Sequence, residues 1–178
     1  MALHGRILTM GTLLTSGILH LLSGGEEVVI GATDGTETLA GIKNVFVTID
    51  SDLGLDGKYW SRGQLARGKP KTSVEVFRMV KDATFEQIFD LPLGRPRQDL
   101  LLTPAQVKRF CCDYFPWLCR GGFTFFLSKI DRKFIVGRVR LDVSGYLQLH
   151  AGVSALSYRA KVWEGEYHHR VVVPKRSS

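Results

Sequence analysis

The stretch FTFFLSKIDRKFIVGRVRL, residues 123–141, reads as two β-strands joined by a tight turn. Aromatic and β-branched residues are concentrated in Phe123–Ile130 and in Lys133–Leu141, and such residues fit the pleated surface of a sheet. Between them, Asp131 and Arg132 leave only a short hairpin loop, which makes the two strands antiparallel. The stretch therefore predicts an antiparallel sheet at the centre of the C-terminal half.

Further turns and β-rich segments follow this hairpin. Val143-Ser144-Gly145 predicts a turn, and Tyr146–His150 predicts a returning strand. Two more strands are predicted at Tyr158–Trp163 and Tyr167–Val173, and Pro174 ends the last of them. The C-terminal half is therefore expected to be an antiparallel meander.

A helix is predicted directly before the meander. Thr103-Pro104-Ala105-Gln106 has the signature of a capping box, in which Thr103 accepts the Gln106 amide and Gln106 reaches back to Thr103. Apolar residues follow at helical spacing; Pro116 is expected to kink or tighten the helix, and Gly121-Gly122 to end it. A helix packed on an antiparallel β-meander gives an α+β fold.

Residues 1–92 are predicted to form a smaller mixed α/β part. Asp82 can cap a short helix that runs through Asp90. Residues 91–102 contain two prolines and a glycine, which favours a linker before a second part at 100–178. A single compact domain is the alternative. Strands of the first part are expected at 27–30, 45–49 and 73–80.

The apolar segment at residues 7–22 has two interpretations. Its apolar residues recur at helical spacing, which predicts a buried helix: Ile7, Met10, Leu14, Ile18 and Leu21. Arg6 and the small residues Ser23-Gly24-Gly25 also match a secretory signal within residues 1–25. The segment is shorter and more polar than a membrane span of ~20 apolar residues. We expect a cytoplasmic protein without a membrane partner, with secretion as the alternative.

The cysteines favour the cytoplasm. Cys111, Cys112 and Cys119 all fall in the predicted helix, and an odd number within one helix is a poor disulfide framework. Their spacing lacks the C-x2-C knuckle of zinc sites. We expect them to be buried as small hydrophobic residues.

The positive charge is concentrated in the second half of the chain. Residues 1–90 hold nine Lys and Arg against eleven Asp and Glu, whereas residues 91–178 hold fifteen against six. The net charge therefore changes from −2 to +9 between the halves. A basic half beside a near-neutral half indicates either a surface for a polyanion or docking of one half on the other.

The segment WEGEYHHRVVVP, residues 163–174, places two carboxylates and two imidazoles close together. As a strand it would put Glu164, Glu166 and His168 on one face and His169 on the core face, as a half-buried histidine with a hydrogen-bonded ring. The two imidazoles would then point apart. A metal site is conceivable with the ligands Glu164, Glu166, His168 and His150. The alternative is a solvated face with weak cross-strand contacts.

A basic and aromatic face is the stronger functional hint. Two strands would carry cations and an indole on one side of the sheet, the arrangement with which proteins hold phosphates and stack bases of single-stranded nucleic acid. The sequence contains no RNP1-type segment, KH loop, zinc finger or helix-turn-helix pattern. The alternative is a face made basic for solubility. The residues are Arg138, Arg140, Arg159, Lys161 and Trp163.

The chain from about residue 26 to residue 174 resembles a group of short uncharacterised bacterial proteins. Several motifs carry the likeness, and the most specific is Glu166-Tyr167-His168-His169-Arg170-Val171-Val172-Val173-Pro174 at the C-terminus. The chain departs from the pattern of the group at Pro116 and at the cysteine pair before it. The resemblance implies no activity, cofactor or catalytic residue.

No nucleotide-binding loop, nucleophile elbow or zinc-protease motif occurs in the sequence. The residues therefore favour a non-catalytic protein without a cofactor. The leading hypothesis is a protein–protein interaction module, whose partner the sequence does not identify. Single-stranded nucleic-acid binding is the first alternative, and a metal-dependent hydrolase centred on Glu164, Glu166 and His168 is the second.

Overall fold

A computed structural model describes residues 17–34, 46–51, 68–90, 93–130, 132–142, 148–156 and 161–176. Two α-helices lie in these ranges, α1 at Phe85–Asp90 and α2 at Pro104–Asp113. Short 3-10 turns lie at Arg97–Leu100, Phe115–Trp117 and Gly165–Tyr167. The strands are β1 Leu19–Leu21, β2 Val28–Ile30, β3 Phe46–Ser51, β4 Thr72–Met79, β5 Phe123–Ile130, β6 Lys133–Asp142, β7 Gln148–Ala155 and β8 Arg170–Pro174.

Within the described residues, the strands form one mixed sheet with the order β1-β4-β8-β5-β6-β7-β3, and β2 also pairs with β4. The pairs β5·β8 and β3·β7 are parallel and the other pairs are antiparallel. Strands β5, β6 and β7 form the predicted antiparallel meander, with a tight hairpin in which Ile130 pairs with Lys133. The prediction of an α+β fold is confirmed.

The end of the chain leaves the predicted meander. Strand β8 does not lie beside β7; it inserts between β4 and β5 and begins at Arg170, three residues later than predicted. Of the predicted strand at Tyr158–Trp163, the described residues contain one bridge, between Ala83 and Trp163. The predicted start of the last strand was wrong, and residues 158–160 of the other predicted strand lie outside the described residues.

Both faces of the sheet are buried. The face on which α2 packs, called the α2 face, buries Val74, Val76, Phe110, Phe126 and Val172 in one cluster. The opposite face, called the α1 face, buries Phe77, Phe85, Phe89, Phe125, Val171 and Val173 in a second cluster. Because β8 is covered on both sides, its Val171-Val172-Val173 run has no polar alternation.

Helix α2 begins as predicted and ends earlier than predicted. The backbone amide of Gln106 donates to Thr103 Oγ1 at 3.3 Å, and the amide of Thr103 donates to Gln106 Oε1 at 2.9 Å, which completes the capping box. The helix ends at Asp113, and Pro116 lies in the following 3-10 turn. Cys119 is therefore outside the helix, contrary to prediction, although it is buried.

Helix α1 is capped by a different residue from the predicted one. The amide of Gln87 donates to Thr84 Oγ1 at 3.3 Å, while the amide of Thr84 donates to Gln87 Oε1 at 2.9 Å. The predicted cap, Asp82, instead accepts a hydrogen bond from the amide of Gly165 at 2.8 Å. Its carboxylate therefore fixes a distant loop and does not cap the helix.

The apolar segment near the N-terminus is extended where the structure describes it. Leu19–Leu21 forms β1 and pairs with β4, so the helical interpretation of residues 7–22 is wrong at this point; residues 7–16 and most of the signal interpretation lie outside the described residues. No described helix is long and apolar enough to cross a membrane.

Strands from both halves of the chain share the sheet. Strand β8 of the predicted C-terminal part is hydrogen bonded to β4 of the predicted N-terminal part, and each hydrophobic cluster contains residues of both parts. Division of the chain at residues 91–102 into separately folding parts stays a prediction.

Candidate functional site

An open pocket of about 330 Å³ lies on the α1 face, at the end of the sheet where β5 begins. Its wall includes cations and aromatic rings together with one imidazole: Phe123, Arg140, Lys161, Trp163, Tyr167 and His169. Gly121 and Gly122 form its rim, just before β5.

The hairpin register places the arginines of β6 at this pocket. Arg140 lies directly opposite Phe123 on β5 and His150 on β7, and cross-strand partners share a face. Two residues away, Arg138 lies opposite Gly152. A Cβ atom at residue 152 would be 2.9 Å from Arg138 Nη2, so the glycine leaves room for this half-buried guanidinium. The guanidinium carbon of Arg138 lies 5.8 Å from the Phe123 ring centroid.

Trp163 is the centre of the aromatic wall. Its backbone forms a two-way bridge with Ala83, and its ring lies 5.1 Å from Phe85 and 5.0 Å from Phe125 between centroids. Lys161 Nζ lies 4.5 Å from the indole centroid, which is a cation–π contact. The indole N–H is buried and has no hydrogen-bond partner within the described residues.

His169 contributes a neutral imidazole to the pocket. Its ring is 3% exposed, and Nδ1 accepts a hydrogen bond from the backbone amide of Phe123 at 2.9 Å. Burial lowers the pKa of His169 to about 4, so the ring is uncharged at neutral pH. Because Nδ1 is an acceptor, the hydrogen-bond network assigns the proton to Nε2, so the ring keeps one N–H donor. The predicted hydrogen-bonded ring is confirmed, and His169 is more deeply buried than the half-buried histidine that was predicted.

The segment before β8 is a turn and not the predicted strand. Gly165–Tyr167 forms a 3-10 turn, and His168 has the left-handed backbone conformation with φ 50°. The chain approaches Lys81 so closely that a Cβ atom at residue 165 would be 2.7 Å from its backbone. Alternation of side chains therefore fails here, yet His168 is exposed while His169 is buried, so the two imidazoles still do not meet.

The structure does not bring the candidate metal ligands together. Glu164, Glu166 and His168 are all exposed around the turn, and His150 lies on β7. Among the described residues, no group of three or more His, Cys, Asp or Glu side chains could hold a metal ion. The reason is the turn, which removes the common strand face on which the three residues were expected.

Most of the residues expected to bind nucleic acid do lie together. Arg140, Lys161 and Trp163 line the pocket, and Arg138 contacts its aromatic wall. Arg159 lies outside the described residues.

The sequence interpretation missed Phe123, Tyr167 and His169 as pocket residues. Phe123 could have been found from the sequence. A two-residue loop at residues 131–132 fixes the register of the hairpin, and that register puts residue 123 opposite Arg140. No local signal marks Tyr167, which a turn carries to the pocket.

Comparison of the chain with protein-family models, with curated proteins and with solved structures finds no match. The likeness to a group of short bacterial proteins stays a prediction.

Proposed function

We propose that this protein binds single-stranded nucleic acid through the basic and aromatic pocket. One observation carries the proposal: side chains from β6, from β5 and from the segment before β8 meet around a single open pocket, and most of them are cationic or aromatic, beside Val162 and one carboxylate, Glu164. Cations that follow a phosphate backbone beside rings that stack bases are the usual means of binding single strands.

Each part of the pocket has a role in this mode of binding. Arg140 and Lys161 lie at the wall as donors to phosphate oxygens. Tyr167 has half of its surface exposed, 50%, so its ring is open for stacking on a base. His169 lines the pocket with a neutral ring whose Nδ1 is occupied, which leaves Nε2–H as the donor for a base carbonyl.

The protein–protein interaction hypothesis has less support in the geometry. The described part of the chain exposes three large hydrophobic residues, Val80, Val162 and Tyr167, and the last two line the basic pocket. Large apolar patches usually mark protein-docking surfaces, whereas isolated exposed hydrophobics are common on any protein. The hydrolase hypothesis depended on a convergence of carboxylates and imidazoles that the turn at 165–167 prevents.

Fluorescence anisotropy with a labelled single-stranded RNA or DNA oligonucleotide, measured over a range of salt, tests the proposal. The wild type should bind at low salt. The variant Arg140→Gln/Lys161→Gln should reduce the slope of log K against log salt by about 1.4, because each phosphate contact contributes about 0.7 for single strands. Tyr167→Ala should weaken binding by about fivefold or more, since one stacked base contributes ~1–3 kcal/mol.

The matched control is Lys175→Gln/Arg176→Gln, two exposed cations beyond the far end of β8. It removes the same charge as the double variant and should leave the salt slope nearly unchanged. Absence of binding by the wild type at low salt overturns the proposal. An equal loss of affinity in both double variants would show that binding depends only on the net charge of the protein. That result would also contradict a specific site.

A further inference from the structure

A row of basic residues crosses the other face of the sheet at the same end. His20 on β1 lies directly opposite Arg78 on β4, and Arg78 lies directly opposite Arg170 on β8. Cross-strand partners share a face with their Cβ atoms about 5 Å apart, and like charges in this arrangement destabilise a sheet. Strands β4 and β8 are internal to the sheet, so these arginines do not serve to blunt an exposed edge.

Arg120 lies on the same face as this row, because it forms a bridge with Leu141, whose side chain packs in the cluster of the α2 face. Burial lowers the pKa of Arg170; Cys119 acts in the opposite direction, and the charges of Arg120 and Arg78 lower it further. The side chain of Arg170 is held in place by a hydrogen bond from Nη1 to the carbonyl oxygen of Pro116 at 3.1 Å. Arg120 is exposed, so the cluster opens to solvent.

The cluster is not neutralised within the described residues. Arg95–Glu75 and Arg97–Asp90 are ion pairs of the described residues, and neither involves the cluster. The Nε atom of Arg78 is buried and has no hydrogen-bond partner in this part of the chain. Two arginines at directly opposed positions and a third on the same face, with one unused buried donor, form a site that an anion would complete.

We propose that Arg78, Arg120 and Arg170 form a phosphate-binding subsite on the α2 face. Arginine is suited to phosphate because its planar donors can bind two oxygens at once. His20 borders the same row and adds a donor beside Arg78.

The subsite also lies next to the pocket along the chain. Arg170 directly follows His169, and the two side chains leave on opposite sides of the sheet. Arg120 directly precedes the glycines of the pocket rim. This inference rests in part on the proposed function. A single-stranded nucleic acid that leaves the pocket over Gly121-Gly122 would place one of its next phosphate groups at the three arginines.

Two measurements on the full chain test the subsite. The first is thermal unfolding in millimolar inorganic phosphate against chloride at constant ionic strength. Phosphate should raise the Tm of the wild type by about 2–4 °C, because a ligand that binds only the folded state stabilises it. The variant Arg78→Gln/Arg170→Gln should lose this shift. The control Lys175→Gln/Arg176→Gln should keep it and so accounts for any general salting effect.

The second measurement compares oligonucleotides of about 3 and about 12 nucleotides, the first shorter than typical single-strand sites of about 4–16 nucleotides and the second within that range. The long oligonucleotide should lose about tenfold in affinity for Arg78→Gln/Arg170→Gln, and the short one, which reaches only the pocket, should lose none. If Arg78→Gln/Arg170→Gln fails to fold, Arg120→Gln gives the same test, because Arg120 is exposed.

The outcomes separate the subsite from the proposed function. A phosphate shift lost in the arginine variants, with no binding of any oligonucleotide, supports a subsite for free phosphate or a small phosphorylated ligand and overturns nucleic-acid binding. A loss restricted to the long oligonucleotide supports both. A phosphate response and an oligonucleotide affinity that are the same in the wild type and in all arginine variants overturn the subsite, whatever the pocket variants do.

Discussion

At His169, the burial of one ring serves both the core and the pocket. The imidazole packs between aromatic rings, with centroids 5.1 Å from Phe125 and 5.5 Å from Trp163, and its Nδ1 holds the first amide of β5. A Cβ atom at Gly122 would be 2.9 Å from that Nδ1, so only glycine fits at the approach to the strand. The ring is therefore fixed by contacts on several sides.

This burial gives His169 a measurable effect on stability at acidic pH. Its pKa is about 4 in the folded protein and about 6.5 in an unfolded chain, so between these values the unfolded state binds the proton and the folded state does not. The contribution of His169 is fully present above pH ~6.5 and is lost as the pH falls towards 4. The loss is on the order of 3 kcal/mol at most.

The variant His169→Asn does not titrate in this range and keeps an oxygen that can accept the Phe123 amide. The free energy of unfolding, measured by urea denaturation at several pH values, should therefore fall less steeply below pH ~6.5 in the variant than in the wild type. His168→Asn changes the exposed neighbour, in a left-handed conformation that asparagine tolerates, and should follow the wild type. Parallel curves for His169→Asn and the wild type would contradict the assignment.

At the scale of elements, the turn at Gly165–Tyr167 decides the shape of the pocket. Asp82 accepts the Gly165 amide, and the bridge between Ala83 and Trp163 holds the residues just before the turn. These contacts join positions about eighty residues apart in the sequence. The turn consequently depends on a long-range fit between two loops.

The variant Gly165→Ala should break this fit. Its Cβ atom would be 2.7 Å from the backbone of Lys81, so the backbone must move, at a cost of about 2 kcal/mol or more. Thermal or urea unfolding measures the loss. At Gly24, the nearest atom to an added Cβ is 3.6 Å away, in the side chain of Leu21, so Gly24→Ala is the matched control with little effect. A Gly165→Ala protein as stable as this control would show that the loops do not meet closely.

Local patterns predicted the elements whose causes are local. The capping box at Thr103 and the tight hairpin after Ile130 depend on neighbouring residues, and both are confirmed. The capping box at Thr84 has the same Thr-x-x-Gln pattern. Asp82 was predicted as the cap instead, but its carboxylate accepts the amide of Gly165. Insertion of β8 between β4 and β5 is a pairing of distant segments, which no local periodicity reveals.

The candidate site follows the same division. Arg138 and Arg140 were predicted to share a face from alternation alone, and the sheet places both beside the pocket. That Lys161 and Trp163 lie on the same face as these arginines was a hypothesis, because alternation says nothing about how two segments are placed. The bridge between Ala83 and Trp163 holds the second segment at the pocket. The turn at 165–167 could not be predicted, because Glu164, Glu166 and His168 alternate as a strand would.

At the scale of the whole molecule, the sheet binds the two halves of the chain together. Strands β4 and β8 are adjacent over five residue pairs, and Val28, Ile30 and Val76 pack in one cluster with Phe110 and Phe126. The basic half thus contributes its charge to a sheet that the near-neutral half completes. Each site depends on both halves of the chain. In the pocket, Ala83 of the first half holds Trp163 of the second, and in the arginine cluster Arg78 of the first half lies opposite Arg170 of the second.

Expression of residues 1–92 and 100–178 as separate chains tests this dependence. Without residues 1–92, the 100–178 fragment would expose the edge of β8. It would also lose 5 of the 17 buried residues of the α2-face cluster and 7 of the 15 of the α1-face cluster, so we expect neither fragment to unfold cooperatively. Circular dichroism and urea denaturation of each fragment measure this, with the full chain as reference. An m-value for 100–178 in proportion to its length would establish an independent domain, because m follows the surface exposed on unfolding. Recovery of a cooperative transition on mixing the fragments would instead show that the shared sheet is the folding unit.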